Sequence, residues 1–211
     1  MNRITLARVL AVAATLQAAL AIIVGGAMKP GYSQVSNFIS ELTASGTPAA
    51  ESIGLYGFLP IAVLLTAFLV CAAPLAEVRG ASRVGYWLLL TQAVAYVGAA
   101  LAPCDAGCPA EGSATQGLHN FISVMTYYGA AAGLLLLSRA PALSRLARAG
   151  FVVAGIAWIV MFMVMLAPAL APWRGLLQRG VEVVLWSVVL FIAWRMLAPR
   201  RDMAAAKPQP A

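Results

Sequence analysis

The chain has 211 residues, of which 62% are hydrophobic and 10% are charged, and its mean hydropathy is +0.88. Soluble domains carry about 25% charged residues, so this composition excludes a water-soluble globular protein and indicates a chain that lies mostly in lipid. The net charge of +7 does not indicate nucleic-acid binding, because the basic residues lie in short gaps between apolar runs. One histidine and three cysteines offer little for a metal site, and we predict no metal and no cofactor.

Six apolar windows are long enough, or nearly so, to cross a membrane as helices of about 20 residues. The sequence therefore predicts an all-α, six-helix integral membrane bundle in one domain, residues 1–198, followed by a disordered cytoplasmic tail, residues 199–211. The first window resembles a signal peptide, but its apolar run is too long and no cleavage site follows, so we interpret it as a retained helix. The predicted helices cover residues 9–28, 52–76, 84–104, 120–138, 149–173 and 180–197.

The gaps between these windows differ in charge. Eleven of the 14 Lys and Arg residues fall on the side of the bundle that carries both termini, and three fall on the other side, namely Lys29, Arg174 and Arg179. Basic residues concentrate in the cytoplasmic loops of membrane proteins. We therefore predict a bacterial inner-membrane protein with both termini in the cytoplasm. The longer and more elaborate loops then lie on the outer side, where we expect the function.

The first outer loop holds a patterned stretch, GYSQVSNFISELTASG, at residues 31–46. Apolar residues recur there at the spacing of one helical face, which predicts a short amphipathic helix. The apolar positions are Val35, Phe38, Ile39 and Leu42. The opposite face includes Asn37, Ser40 and Glu41, which we expect to face a cavity.

The second outer loop contains Cys104 and Cys108. They would lie on the oxidising side of the membrane, so we favour a disulfide between them over two free thiols. His119 then begins the fourth helix, and Ser123, Thr126 and Tyr127 lie on the same helical stripe. Polar groups facing lipid are costly, so we expect this stripe to face the interior. It would either make interhelical hydrogen bonds or form the wall of a cavity that opens to the outside.

The last helix opens with QRGVEVV, in which Arg179 and Glu182 are three residues apart. An acidic residue deep in the membrane costs about 2.5–3.5 kcal/mol, so Glu182 requires a partner, and we expect Arg179 or Arg174 to supply it. Such a pair would either pin the end of the helix or help to line the outer cavity.

Three stretches of the chain match a known pattern, namely YSQVSNFISELTASGTP, PCDAGCP with a downstream HN, and QRGVEVVLW. In these stretches the chain resembles the bacterial integral membrane proteins of the domain of unknown function 998 family. The resemblance covers nearly the whole chain, from the first helix to the sixth. It implies a multi-span membrane fold, and it implies no activity and no catalytic residue.

Together these features predict a polar pocket, open to the outer face, that binds an amphiphilic ligand, either a lipid or a small lipophile. The expected ligand-binding residues are Asn37, Ser40, Glu41, His119, Ser123, Arg179 and Glu182. Two alternatives remain open. One is a membrane-embedded hydrolase or transferase acting on lipid, with His119 or Glu182 as general base and Ser40 as nucleophile. The other is a small transporter. The expected partner is membrane lipid rather than nucleic acid, and a homo-oligomer or a membrane partner protein also remains open.

Overall fold

A computed structural model describes residues 1–197 and shows an all-helical chain with no strand of its own in that range. Six helices are long and apolar enough to cross a membrane, which confirms the predicted fold class. They are α1 Arg3–Met28, α2 Ala50–Ala72, α3 Ala81–Leu101, α4 Ala114–Leu137, α5 Arg145–Met165 and α6 Pro168–Met196. The predicted tail at residues 199–211 lies outside the described residues.

All six helices begin before their predicted windows, and in three of them a polar side chain caps the first turn. Asn2 precedes α1 and its Oδ1 accepts from the backbone N–H of Thr5 at 2.8 Å. Ser113 caps α4 and Ser144 caps α5 in the same way. Such caps satisfy N–H groups that have no partner within the helix. A hydropathy window begins at the first apolar residue and therefore misses these polar first turns.

The six helices form a closed ring. Each helix packs against the next one in sequence, and α6 also packs against α1. The helices α3 and α4 approach most closely at Gly85, where an added Cβ would lie 2.6 Å from the carbonyl oxygen of Gly133. The outside of the ring is apolar, and Val63 and Val183 are each 66% exposed there. This arrangement buries small and polar residues inside the ring and presents an apolar surface to lipid.

The two ends of the ring differ in composition. One end, here called the capped end, is covered by residues 29–49, 102–113 and 166–173. The other, here called the basic end, carries most of the arginines within residues 1–197. These are Arg3, Arg8, Arg79, Arg83, Arg139, Arg145, Arg148 and Arg195. Two of them join helices: Arg3 Nε donates to the carbonyl of Cys71 at 2.9 Å, and Arg8 Nε donates to that of Ala193 at 3.2 Å.

The helix α2 contains a wide π-helical turn at Ile53–Phe58, directly before Pro60. Pro60 has no N–H, so the carbonyl groups of the preceding turn need other donors. Gln17 of α1 supplies them, because its Nε2 donates to the carbonyl oxygens of Tyr56 at 2.8 Å and Gly57 at 3.2 Å. Gln17 is therefore polar, although it lies in a membrane-spanning helix, because it satisfies backbone carbonyl groups of α2.

Replacing Gln17 by Leu should lower the free energy of unfolding by about 1–3 kcal/mol, because two carbonyl groups lose their donor in a medium without water. Thr15→Val is a matched control, since the Thr15 hydroxyl donates to the carbonyl of Ala11 within its own helix. Unfolding in mixed micelles of increasing denaturing-detergent fraction measures both variants. Equal losses in the two variants would contradict the role assigned to Gln17.

The first loop does contain a short helix, but this helix covers only Ile39–Thr43, as a 3-10 turn, rather than the whole patterned stretch at 31–46. One reason is that Asn37 Oδ1 accepts from the backbone N–H of Ser33 at 2.8 Å. Side chains that bond the local backbone compete with helix formation. The apolar face is divided as well: Leu42 is fully buried, whereas Val35 is 41% exposed.

Candidate functional site

Glu41 lies at the centre of the capped end and is only 3% exposed. Its Oε1 accepts from the backbone N–H of Phe38 at 2.9 Å and from Arg174 Nη2 at 3.1 Å. Its Oε2 accepts from Asn37 Nδ2 at 2.8 Å. A buried carboxylate is tolerated when it is both paired and hydrogen-bonded, as here. The Glu41 and Asn37 side chains therefore stabilise the conformation of the first loop.

Arg179 attaches the first loop to α6. Its Nε donates to Gln34 Oε1 and its Nη2 to the Tyr32 hydroxyl, both at 2.7 Å, and its Nη1 donates to the carbonyl of Asn37 at 3.1 Å. Burial raises the pKa of the Tyr32 hydroxyl, and the nearby guanidinium partly opposes that effect. The expected pair between Arg179 and Glu182 does not form, because the guanidinium turns toward the loop. We call the group Asn37, Glu41, Arg174 and Arg179 the cap network.

A cavity of about 440 Å³ lies beside the cap network, between α4, α5 and α6. Its polar lining consists of Ser40, His119, Asn120, Ser123, Tyr127, Arg174 and Gln178. Its apolar lining includes Phe38, Val124, Phe162, Met165 and Leu166. Val124 and Leu166 are 43% and 56% exposed on the outer surface of the ring. The cavity therefore reaches the lipid-facing surface between α4 and α5.

Arg174 belongs to both the cap network and the cavity wall. Its Nε donates to the carbonyl of Ser36 at 3.1 Å, and its guanidinium carbon lies 4.4 Å from the centre of the Phe38 ring. Nη2 pairs with Glu41, whereas Nη1 has no hydrogen-bond partner within residues 1–197. Arg174 is also the one permanently charged side chain in the described lining. It thus brings a charged donor to a largely apolar space.

His119 lies on the cavity wall and is 7% exposed. Its Nδ1 is 2.9 Å from the carbonyl oxygen of Ala102. A carbonyl oxygen can only accept, so Nδ1 carries the proton, and Nε2 of the neutral ring has a free lone pair. The ring can therefore accept a hydrogen bond from a ligand.

The sulfur atoms of Cys104 and Cys108 lie at bonding distance, with their Cα atoms 5.1 Å apart. This geometry is compatible with the disulfide, which stays a prediction. A ligating nitrogen of His119 lies within 4.8 Å of both sulfur atoms. Bridged sulfurs carry no thiolate, so these three residues could form a metal site only after reduction. Cys108 also lines the cavity, and its Sγ is 3.4 Å from the Ser40 Oγ.

The predicted disulfide has a direct chemical test. Under non-reducing denaturing conditions, we expect a thiol-alkylating mass tag to add only to Cys71, which has no disulfide partner. After reduction it should add to all three cysteines. Because the bridge closes a very short loop, the double variant Cys104→Ser, Cys108→Ser should lose no more than about 2 kcal/mol of stability. Addition of three tags before reduction would show that the thiols are free.

Asp105 fixes the second loop to the start of α4. Its Oδ2 accepts from the backbone N–H of Ser113 and its Oδ1 from the Ser113 hydroxyl, both at 2.8 Å. These hydrogen bonds favour the charged form and hold the pKa of the Asp105 carboxyl below its usual range. The loop is therefore anchored to the N-terminal cap of α4.

The family model of a protein of unknown function, DUF998, matches residues 12–195. The chain belongs to the DUF998 family. The match confirms the resemblance seen in the sequence and covers the cap network and the cavity. No curated protein and no solved structure matches this chain. Family membership and the six apolar helices together make it a multi-pass membrane protein of unknown function.

The DUF998 protein brings together only part of the predicted ligand site. Ser40, His119 and Ser123 line the cavity. Asn37, Glu41 and Arg179 lie in the cap network beside it. Among the described residues, Glu182 makes no hydrogen bond to either group. Its Oε2 accepts from the Tyr96 hydroxyl at 2.6 Å and from Trp186 Nε1 at 2.9 Å.

Several lining residues of this DUF998 cavity were not predicted as ligand-binding residues, notably Arg174 and Gln178. Tyr127 was expected on the polar stripe of the fourth helix, but not as a ligand-binding residue. Arg174 and Gln178 are four residues apart on α6, a spacing that places them on one helical face. That spacing could have indicated from the sequence that both side chains line one site. The apolar part of the lining, which comes from α5, had no sequence signal because α5 is apolar along most of its length.

Proposed function

We propose that this DUF998 protein binds an amphiphile with an anionic headgroup in the cavity at the capped end. The observation that carries the proposal is the mixed lining of the cavity. It combines Arg174 and several hydroxyl and amide groups with the apolar side chains of Val124, Phe162 and Leu166. Ligand pockets of this volume range combine an apolar wall with a few polar groups that fix orientation.

The charge of the cap network supports an anionic headgroup. Arg174 pairs with the Glu41 carboxylate, and Arg179 donates to the carbonyl of Asn37 beside it. The cap network therefore holds two guanidinium groups and one carboxylate next to the cavity. Guanidinium groups bind phosphate and carboxylate through several hydrogen bonds, so a phosphate or carboxylate near Arg174 is the favoured headgroup.

The proposed ligand comes from the membrane itself. The cavity reaches the surface at Val124 and Leu166, on the flank of the ring that faces lipid. A membrane lipid or small lipophile can enter there without crossing water. We propose that the capped end faces outward from a bacterial inner membrane and that both termini are cytoplasmic. The concentration of arginine at the basic end supports this orientation.

Ligand occupancy can be tested by filling the cavity. Ser123→Phe places a large side chain in the cavity, and Ser187→Phe places the same side chain in a groove between α5 and α6. The protein and both variants are purified in mild detergent, and co-purifying lipids and lipophiles are identified by mass spectrometry. We expect one class of anionic amphiphile to be retained by the wild type and by Ser187→Phe, and to be lost from Ser123→Phe.

The same experiment separates the two sources of ligand. A phospholipid retained from the membrane identifies a lipid-binding site, and a non-lipid lipophile identifies a carrier or sensor of small molecules. If the wild type and both variants retain the same bulk lipid mixture, the cavity has no specific ligand and the proposal is wrong.

A further inference from the structure

Glu182 occupies a costly position for a carboxyl group. It lies near the middle of the span Pro168–Met196. No cation forms an ion pair with Glu182 among residues 1–197. The ion pair in that range joins Arg174 and Glu41. Arg179, one turn away, is bonded to the first loop instead. An ionised carboxylate without a counter-ion is strongly unfavourable inside a membrane, and such residues are functional by default.

The hydrogen bonds of Glu182 fit a neutral acid. The Tyr96 hydroxyl and Trp186 Nε1 both donate to Oε2, and an indole N–H can only donate. Oε2 is therefore an acceptor, as the carbonyl oxygen of a neutral acid would be. Oε1 has no hydrogen-bond partner among residues 1–197. Trp158 Nε1 is the only fully buried side-chain polar atom without a partner in that range, so Oε1 is not fully buried. Oε1 is thus the reachable oxygen on which a proton would lie.

The surroundings of Glu182 add no second acid or base that ionises near neutral pH. The titratable groups that face it are Tyr96 on α3, Tyr127 on α4 and Arg179 on its own helix. Phenols titrate near pH 10 and arginine remains charged, so neither kind of group changes charge near neutral pH. Among the described groups that face one another here, only the Glu182 carboxyl can therefore exchange a proton near neutral pH.

We propose that Glu182 is a proton-binding site within the membrane, held as a neutral carboxylic acid and exchanging its proton through Oε1. Gln178, one helical turn closer to the capped end, lines the cavity, so the acid lies directly below it. The ligand of this second site is a proton. The site stands whether or not the cavity holds an amphiphile, because its two hydrogen bonds come from Tyr96 and Trp186, which do not line the cavity.

A membrane-soluble carbodiimide tests for the acid form. We would treat the protein in lipid nanodiscs at neutral pH with dicyclohexylcarbodiimide. The acid proton passes to a nitrogen of the reagent, a carboxyl oxygen bonds to its central carbon, and an oxygen-to-nitrogen acyl shift gives a stable acylurea without loss of any atom. Peptide mass spectrometry should find this adduct on Glu182 and not on the ion-paired Glu41 or the exposed Glu51. An unmodified Glu182, or equal modification of all three, overturns the proposal.

Infrared spectroscopy gives an independent test that does not need the reagent. The wild type at neutral pH should show the C=O stretching band of a protonated carboxylic acid, and Glu182→Gln should lack it while keeping the thermal stability of the wild type. Tyr96→Phe should shift this band, because the Tyr96 hydroxyl donates to Oε2. Tyr128→Phe on the exposed face of α4 should leave it in place. A wild-type spectrum without the acid band, matching that of Glu182→Gln, would show that the group is ionised.

Discussion

Glu41→Ala is expected to lower the free energy of unfolding by about 3–5 kcal/mol, more than any other single change at the capped end. The substitution leaves the Arg174 guanidinium without its carboxylate, and it removes the acceptors of Asn37 Nδ2 and of the Phe38 N–H. The Arg174 side chain is 26% exposed, so the loss comes mainly from the buried donors that are left without an acceptor, at about 1–3 kcal/mol for each donor.

Unfolding in mixed micelles of increasing denaturing-detergent fraction would measure this loss. Glu51→Ala is the control, because Glu51 is an exposed acidic residue near the same end of the ring. Limited proteolysis gives a second readout, since the first loop at residues 29–49 should become cleavable in Glu41→Ala alone. Comparable stabilities of the two variants would show that the cap network contributes little.

Arg174→Gln is expected to weaken the binding of an anionic amphiphile at least tenfold, which corresponds to about 1.4 kcal/mol or more. Binding of a zwitterionic amphiphile with the same acyl chains should change much less. The reason is that Arg174 is the permanently charged side chain of the described lining, and a zwitterionic headgroup has no net negative charge for it to attract. The affinities can be measured by titrating the detergent-purified protein with each lipid and following native mass spectra.

The comparison of two headgroups separates binding from folding, because a general loss of structure would weaken both lipids equally. Arg139→Gln removes an exposed arginine at the basic end and serves as the matched control. A parallel loss for anionic and zwitterionic lipids in Arg174→Gln would assign Arg174 to the cap network alone.

The six-helix ring could be predicted from the sequence because a membrane demands long apolar helices, and those are visible in any hydropathy window. The helix starts could not be placed so well, because Asn2, Ser113 and Ser144 cap polar turns that precede the apolar residues. The stretch at 31–46 has helical periodicity, but local side-chain hydrogen bonds from Ser33 and Asn37 break its backbone into turns.

The candidate site was predictable only in part, for a reason that Arg179 and Glu182 make plain. Their spacing favours a local pair on one helix. In the folded chain the guanidinium instead reaches Gln34 and Tyr32, and Glu182 finds Tyr96 on another helix. Long side chains choose among partners that tertiary packing supplies, and a single sequence does not reveal that packing.

The attachment of the first loop to the last helix has a consequence for biosynthesis. Four residues of the first loop form hydrogen bonds with residues 174–179, which come more than a hundred positions later in the chain. They are Tyr32, Gln34, Ser36 and Ile39. A ribosome releases helices in order, so five helices enter the bilayer before the first loop can form its hydrogen bonds to α6. Chains truncated before α6 should therefore present an open first loop to chaperones and proteases, and completion of the sixth helix closes the protein.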